Sequence, residues 1–425
     1  MSLRKAFSFG AFQTVVSLVL SFFSIKVTAV YLGPAGIGTL GQLNYFMSLT
    51  QGVLAAGLQI GLVRRTAELS DDPAARSRVV STILRLLLVV GIPSALIVAL
   101  ASKWLAGQLF HDEGLQSVLL VVAAALVFGL ISAVMVGCAM GAQDYRASTV
   151  VNMSTGVFSL ILVVALCPQF GVIGGLMALA LLPPFTHFVA WLFARNRAWW
   201  PRQPLSHGFS AKEARAAFAY VPMAIVNTVG MPLLQLLIRD GVVEHSGMAS
   251  VGLLQGVMRI SDMYMNIVGS AFVMYFFPRF SQLRAVDEMR HEIKKGLLII
   301  VPAAAAVGLT IYLLRDVIIQ LIFTKEFVPM RDLFAWQMVG NTLSLTGQLF
   351  ANLLLSKISA LAMAVLATAT MLIWWLISTV LVSANGAVGA TQAYAATYAL
   401  YAAVTAIATY FVLRRLRTRG PEVQG

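Results

Sequence analysis

VGLLQGVMRISDMYMNIVGSAFVMYFFPRF, residues 251–280, is long and apolar enough to cross a bilayer, yet it carries Arg259 and Asp262 inside the span. Charge at that depth is expensive and is kept where it faces a protein interior or a water-filled path. Gln255, Arg259, Asp262, Asn266 and Ser270 recur at offsets of 0, 4, 7, 11 and 15. On an α-helix these positions fall within one arc of roughly 80°. The pattern predicts a membrane helix with a single polar stripe, lining a polar path. The competing reading is an Arg259–Asp262 ion pair that fastens two helices together. Of 17 Asp and Glu, Asp262 is the one placed well inside a span, which makes it the candidate coupling acid.

Working outward, the whole chain has the same character. Apolar residues make up 59% and charged residues 11%, with a mean hydropathy of +0.84. A soluble domain carries about a quarter charged residues. Twelve apolar runs follow one another, near 8–32, 37–63, 79–101, 116–140, 148–167, 172–194, 217–238, 252–277, 296–314, 332–355, 358–382 and 388–413. Runs of this length are helices, because a helix satisfies its own backbone in lipid. The first run starts a few residues after the N-terminus and is expected to be retained as a span. The segment 195–216, basic and rich in Trp and Pro, divides the helices six and six. This predicts an N-terminal lobe over 1–194, a cytoplasmic basic linker over 195–216 with Trp199 and Trp200 at the interface, and a C-terminal lobe over 217–425.

Of the 30 Lys and Arg, only Lys103, Arg239, Arg315, Lys325 and Arg331 fall in loops on one side, and Lys26, Arg85 and Arg259 fall in spans. All the others lie on the opposite side. By the positive-inside rule that side is the cytoplasm, with both termini there. The formal charge of +13 is then explained by topology and anionic lipid, with no nucleic acid required.

Other helices carry polar stripes. Gln337, Asn341, Ser344, Gln348 and Asn352 repeat the offsets 0, 4, 7, 11 and 15, and Gln13, Ser17, Ser21, Ser24 and Thr28 form a hydroxyl-rich set suited to helix packing. Asn227 and Gln235 lie in a run flanked by Pro222 and Pro232, which predicts a kink. Lys26 is a candidate cavity cation, and Arg64, Arg65 and Arg146 stand at the cytoplasmic mouth, where positive charge raises the local concentration of an anionic substrate. The candidate set is thus Lys26, Arg259, Arg64, Arg65 and Arg146 for an anion, and Gln255, Asn266, Asn341, Gln348, Asn352, Asn227 and Gln235 for a polar body. No P-loop and no H-E-x-x-H is present, and the five His are scattered. Neither enzymatic chemistry, nor a metal, nor a cofactor is indicated. Cys138 and Cys167 are not expected to pair.

Several stretches together resemble the O-antigen translocase (polysaccharide flippase) family of the multidrug/oligosaccharidyl-lipid/polysaccharide exporter superfamily. They are MSLRKA at the start, GPAGIG at 33–38, QGVMRISDMY at 255–264, FFPRFSQL at 276–283, LLRD at 313–316, MRDLFAWQ at 330–337 and GAVGATQAYAATY at 386–398. Lys26 and Asp262 match the family's pattern. The resemblance implies an all-α polytopic membrane protein with twelve transmembrane helices in two six-helix lobes around a central cavity. It implies transport of an undecaprenyl-pyrophosphate-linked oligosaccharide across a bacterial inner membrane, alongside a polysaccharide polymerase and a chain-length regulator. The rival reading is a cation-coupled multidrug antiporter of the same superfamily, using Asp262. The excess of Lys26, Arg85 and Arg259 over Asp262 within the spans favours an anionic substrate.

Overall fold

The computed structural model describes residues 3–418 apart from 56, 70, 71, 202, 219, 220, 284, 358 and 359; the side chains of 3–15, 222, 223, 227, 267, 269–278, 281, 300, 360 and 418 lie outside the description. The described chain is helical, joined by short turns. The helices are α1 (Leu3–Ala55), α2 (Leu58–Glu68), α3 (Pro73–Leu100), α4 (Ser102–Phe110), α5 (Gln116–Gly141), α6 (Tyr145–Ala180), α7 (Leu182–Ala194), α8 (Ala211–Phe218), α9 (Val221–Ile225), α10 (Met231–Gln282), α11 (Val286–Leu313), α12 (Arg315–Ile322), α13 (Phe334–Lys357) and α14 (Ala360–Thr418). A π-helical turn, Val226–Gly230, joins α9 to α10.

Length shows how these helices relate to a bilayer. The apolar stretch Tyr145–Ala194 runs 50 residues and Leu361–Arg417 runs 57. At 1.5 Å per residue, 50 residues extend about 75 Å, against a hydrocarbon core of about 30 Å. Each must therefore fold back. The backbone does so at Gly33 in α1, Gly171 in α6, Gly247 in α10 and Gly386 in α14. At Gly247, φ is 79°, a left-handed conformation that a Cβ disfavours. With these four folds counted, the described residues form twelve long helical segments.

The chain divides into two compact units, Met1–Leu236 and Leu237–Gly425. In the N-terminal unit α1 packs on α6, and α5 packs on α2, α3 and α7. Leu62, Val80, Ile83, Leu130 and Cys138 are buried together in its core. In the C-terminal unit α13 packs on both α11 and α14. A Cβ at Gly340 would lie 2.2 Å from Cδ1 of Tyr394, so the α13–α14 contact depends on the absence of a side chain there. Large apolar side chains such as Leu100 (79% exposed) and Leu361 (75%) point outward, as lipid-facing residues do. Cys138 and Cys167 are both buried and free.

The segment 195–216 departs from the expectation of an interfacial linker. Trp199 and Trp200 are buried in the core of the N-terminal unit, and Trp199 Nε1 donates to Asp144 Oδ2 at 3.0 Å. Arg76 and Arg85 donate to the carbonyls of Ala198 and Leu205 at 2.6 and 2.8 Å, and Ser81 donates to that of His207 at 2.6 Å. The segment's own carbonyls, left over where no helix uses them, meet side-chain donors of α3.

Candidate functional site

The fold of α10 at Gly247 brings residues 239–246 back along residues 248–255. Arg239 lies eight residues before the fold and Gln255 eight after it, and the Arg239 guanidinium donates to Gln255 Oε1. It also reaches Met258 Sδ at 3.6 Å. Arg239 is 0% exposed. This corrects the sequence reading, which set Arg239 in an outer loop. The helix continues through the charged run Arg239-Asp240 almost to Gly247, so the arginine lies about 12 Å along the helix from the fold. One signal in the sequence pointed this way: Gln235 and Arg239 are four apart, on the same helical face.

One turn beyond Gln255 stands Arg259, exposed, and then Asp262 and Asn266, both exposed. Among the described residues Arg259 and Asp262 close no ion pair with each other. The Asp262 carboxylate nevertheless feels the charges of both Arg259 and Arg239. Asn266 Nδ2 donates to the Asp262 carbonyl at 2.7 Å, which fixes the amide against its own helix. The result is a short polar stripe with one guanidinium buried, a second guanidinium open, and a carboxylate within reach of both fields.

The stripe on α13 has a different environment. Asn341 is 1% exposed; its Nδ2 donates to Ser261 Oγ at 3.0 Å, and its Oδ1 accepts from Tyr394 at 2.9 Å and from Gln337 Nε2 at 3.3 Å. Gln348 Nε2 reaches Ser344 Oγ at 3.3 Å, and Asn352 Nδ2 donates to the Gln348 carbonyl at 2.9 Å. Trp374, Tyr394, Tyr398 and Tyr401 form an aromatic ladder beside this network.

In the N-terminal unit the candidate cations are spread out. Lys26 on α1 is half-buried and Arg146 on α6 is exposed. Arg64 is exposed and pairs with Glu68 at 2.8 Å. Arg65 holds Glu213 with two hydrogen bonds of 2.8 Å and Glu68 with a third of 2.8 Å, so its charge is already engaged. Its hydrogen bonds to Glu213, then to Glu68, raise the Arg65 guanidinium further above its ordinary range. Hydrogen bonds from Arg65, then Arg64, hold the Glu68 carboxyl below its own. Gln235 is buried on the first half of α10, and the Asn227 side chain lies outside the described residues.

A family model described as "Polysaccharide biosynthesis protein" matches residues 27–332. The chain belongs to that family. It is 30% identical over 408 residues to the Lipid III flippase of Escherichia coli (strain K12), covering 94% of this chain and 96% of the relative. The Lipid III flippase of Shigella flexneri matches to the same extent. Among solved structures, an inward-facing multidrug resistance MATE family transporter of the MOP superfamily superposes with a TM-score of 0.79 at 15% identity, covering 96% of this chain and 99% of the other. A MOP superfamily transporter from Pyrococcus furiosus, described as having a binding pocket of reversed polarity, gives 0.64 at 15% identity, covering 97% and 96%. Membership of the family and these likenesses give an all-α, multi-pass membrane protein with the two-lobe transporter fold of that superfamily.

Proposed function

We propose that this protein is a flippase. It carries an undecaprenyl-pyrophosphate-linked oligosaccharide, of the lipid III kind used for enterobacterial common antigen, from the cytoplasmic to the periplasmic leaflet by alternating access. The observation that carries the reading is the pair of guanidiniums on α10, Arg239 and Arg259, within a chain similar over nearly its full length to lipid III flippases. A pyrophosphate is a compact anion with oxygen acceptors on all sides, and arginine meets it with a planar fork of donors. Arg259, open on the stripe, contacts the substrate phosphates. Arg239 holds Gln255 in place and adds positive field. Lys26 contributes a further cation, and Arg64, Arg65 and Arg146 draw anionic headgroups to the cytoplasmic mouth. Asn266, Gln348, Asn352, Asn227 and Gln235 serve the polar body of the oligosaccharide, while the prenyl tail stays in lipid.

Asp262, between the two fields, is the group that exchanges a coupling ion. The protein lies in a bacterial inner membrane with both termini in the cytoplasm, beside a polysaccharide polymerase and a chain-length regulator, and it makes and breaks no covalent bond. The lobes 1–194 and 217–425 are its moving parts, and 195–216, clamped to α3, travels with the first. Expression in an Escherichia coli strain lacking its own lipid III flippase tests this reading. Restored surface polymer is the expected result. No restoration at normal membrane levels, with efflux of cationic drugs in its place, would support the antiporter reading instead.

A further inference from the structure

A cavity of about 420 Å³ lies wholly within the N-terminal unit, in the size range of small-molecule sites. Asn44, Ser48 and Gln51 of α1 and Gln59 of α2 line one wall, at offsets of 0, 4, 7 and 15. Ser132 of α5 and Thr186 of α7 face them. The Ser132 hydroxyl donates to the Gly129 carbonyl at 2.8 Å, which leaves its oxygen lone pairs as acceptors, while Thr186 Oγ1 donates to the Leu182 carbonyl at 2.9 Å and also meets Thr155 Oγ1 at 3.0 Å. Among the described residues the side chains of Asn44, Ser48, Gln51 and Gln59 have no hydrogen-bond partner. The lining contains no Asp, Glu, Lys, Arg or His.

These features select a ligand class. Three side-chain amides present donors and acceptors together, so they match groups that are themselves both, such as hydroxyl and acetamido. An acyl chain would strip water from the amides and return nothing. A charged group would enter a wall with no counter-charge. Apolar residues, among them Met47, Val136, Leu179, Leu182 and Pro183, supply the remaining surface, as the ring face of a sugar requires.

We propose that this cavity is a subsite for an uncharged sugar unit bearing hydroxyl and acetamido groups. The proposal rests on the flippase reading, in which that unit belongs to the lipid-linked oligosaccharide. One part of the sugar recognition then lies here, apart from the phosphate contacts on α10.

The test is binding of free N,N′,N″-triacetylchitotriose to the detergent-solubilised full chain, read by saturation-transfer NMR and titration. The parent chain binds it, and Asn44→Leu and Gln51→Leu each weaken binding about tenfold, the size of one lost hydrogen-bonding group or more. Gln59→Leu, at an exposed position on the rim, gives the same direction of change with the least risk to folding, and a thermal melt checks each variant. A parent that does not bind, or variants that bind as the parent does, overturn the proposal. So does equally tight binding of trigalacturonate, a charged trimer. Because free sugar is the probe, binding that the variants weaken supports the subsite even where the parent flips no lipid. That pairing of results would overturn the transport reading alone.

Discussion

Gln255, Arg259, Asp262 and Asn266 on α10, and Gln337, Asn341, Ser344 and Gln348 on α13, repeat one helical spacing. The structure gives the two stripes opposite surroundings. On α13 the amides of Gln337 and Asn341 are buried and bonded to each other, to Ser261 and to Tyr394, so their hydrogen bonds are already used inside the protein. On α10, beyond Gln255, the charged and amide side chains are exposed, with Arg239 buried behind them. A stripe whose groups are satisfied by the protein holds helices together, whereas one whose groups are open is free to bind. Period alone does not distinguish the two.

Four substitutions sharpen the contrast, taken from the largest effect to the smallest. Arg259→Met removes an open, charge-assisted donor worth about 1.5–3 kcal/mol, so the flipping rate falls about 10- to 100-fold while the melting temperature holds. A slow variant that has also lost stability would place Arg259 among the structural groups. Next, Asp262→Asn keeps flipping in the absence of a gradient and loses the several-fold response to an imposed pH or sodium step, read in vesicles with a membrane-permeant ionophore as control. If the response is unchanged, Asp262 does not couple.

Asn341→Leu gives the reverse pattern to Arg259→Met. It leaves Ser261 and Tyr394 without their partner and costs about 1–2 kcal/mol of stability, seen as a lower midpoint in a thermal melt, while turnover per folded molecule is unchanged. The smallest effect belongs to Glu68→Gln at the cytoplasmic end of α2. The Glu68 carboxyl sits below its usual 4.5 because Arg65 and Arg64 hydrogen-bond it. Its contribution to stability is therefore present above about pH 4.5 and lost as pH falls through the folded-state value. The variant flattens the acid limb of a stability–pH profile slightly, and added salt, which screens exposed pairs, erases the difference. An acid limb unaltered at low salt would show that this exposed pairing contributes nothing.

Much of this was legible in the residues. The spans follow from the bilayer's demand that each backbone group be satisfied within its segment, and the glycine folds fall at the ends of the apolar runs, as at Gly33, Gly171 and Gly386. The stripe on 251–280 was legible for the same reason, since apolar neighbours make polar positions conspicuous. Arg239 was not, because Arg239, Asp240 and Glu244 together look like the charged edge of a loop, and only the fold at Gly247 shows what covers the arginine. Trp199 and Trp200 looked interfacial because Trp commonly is, but Asp144 and the core of the N-terminal unit claim them. The neutral cavity was missed because Asn44, Ser48 and Gln51 share their helix with many other small and polar residues, and the opposite wall comes from α5 and α7, far away in sequence.

The central claim is that open guanidinium on α10 moves a lipid-linked pyrophosphate across the membrane. The most direct measurement follows a fluorescent undecaprenyl-pyrophosphate trisaccharide in vesicles holding either the parent chain or Arg259→Met, with an added glycosidase cutting only the outer leaflet. In parent vesicles the account predicts that digestion proceeds past the outer-leaflet half to near completion, while in Arg259→Met vesicles it stalls at about half on the same time scale. Digestion that stalls equally in both, with the parent folded and inserted, would contradict it.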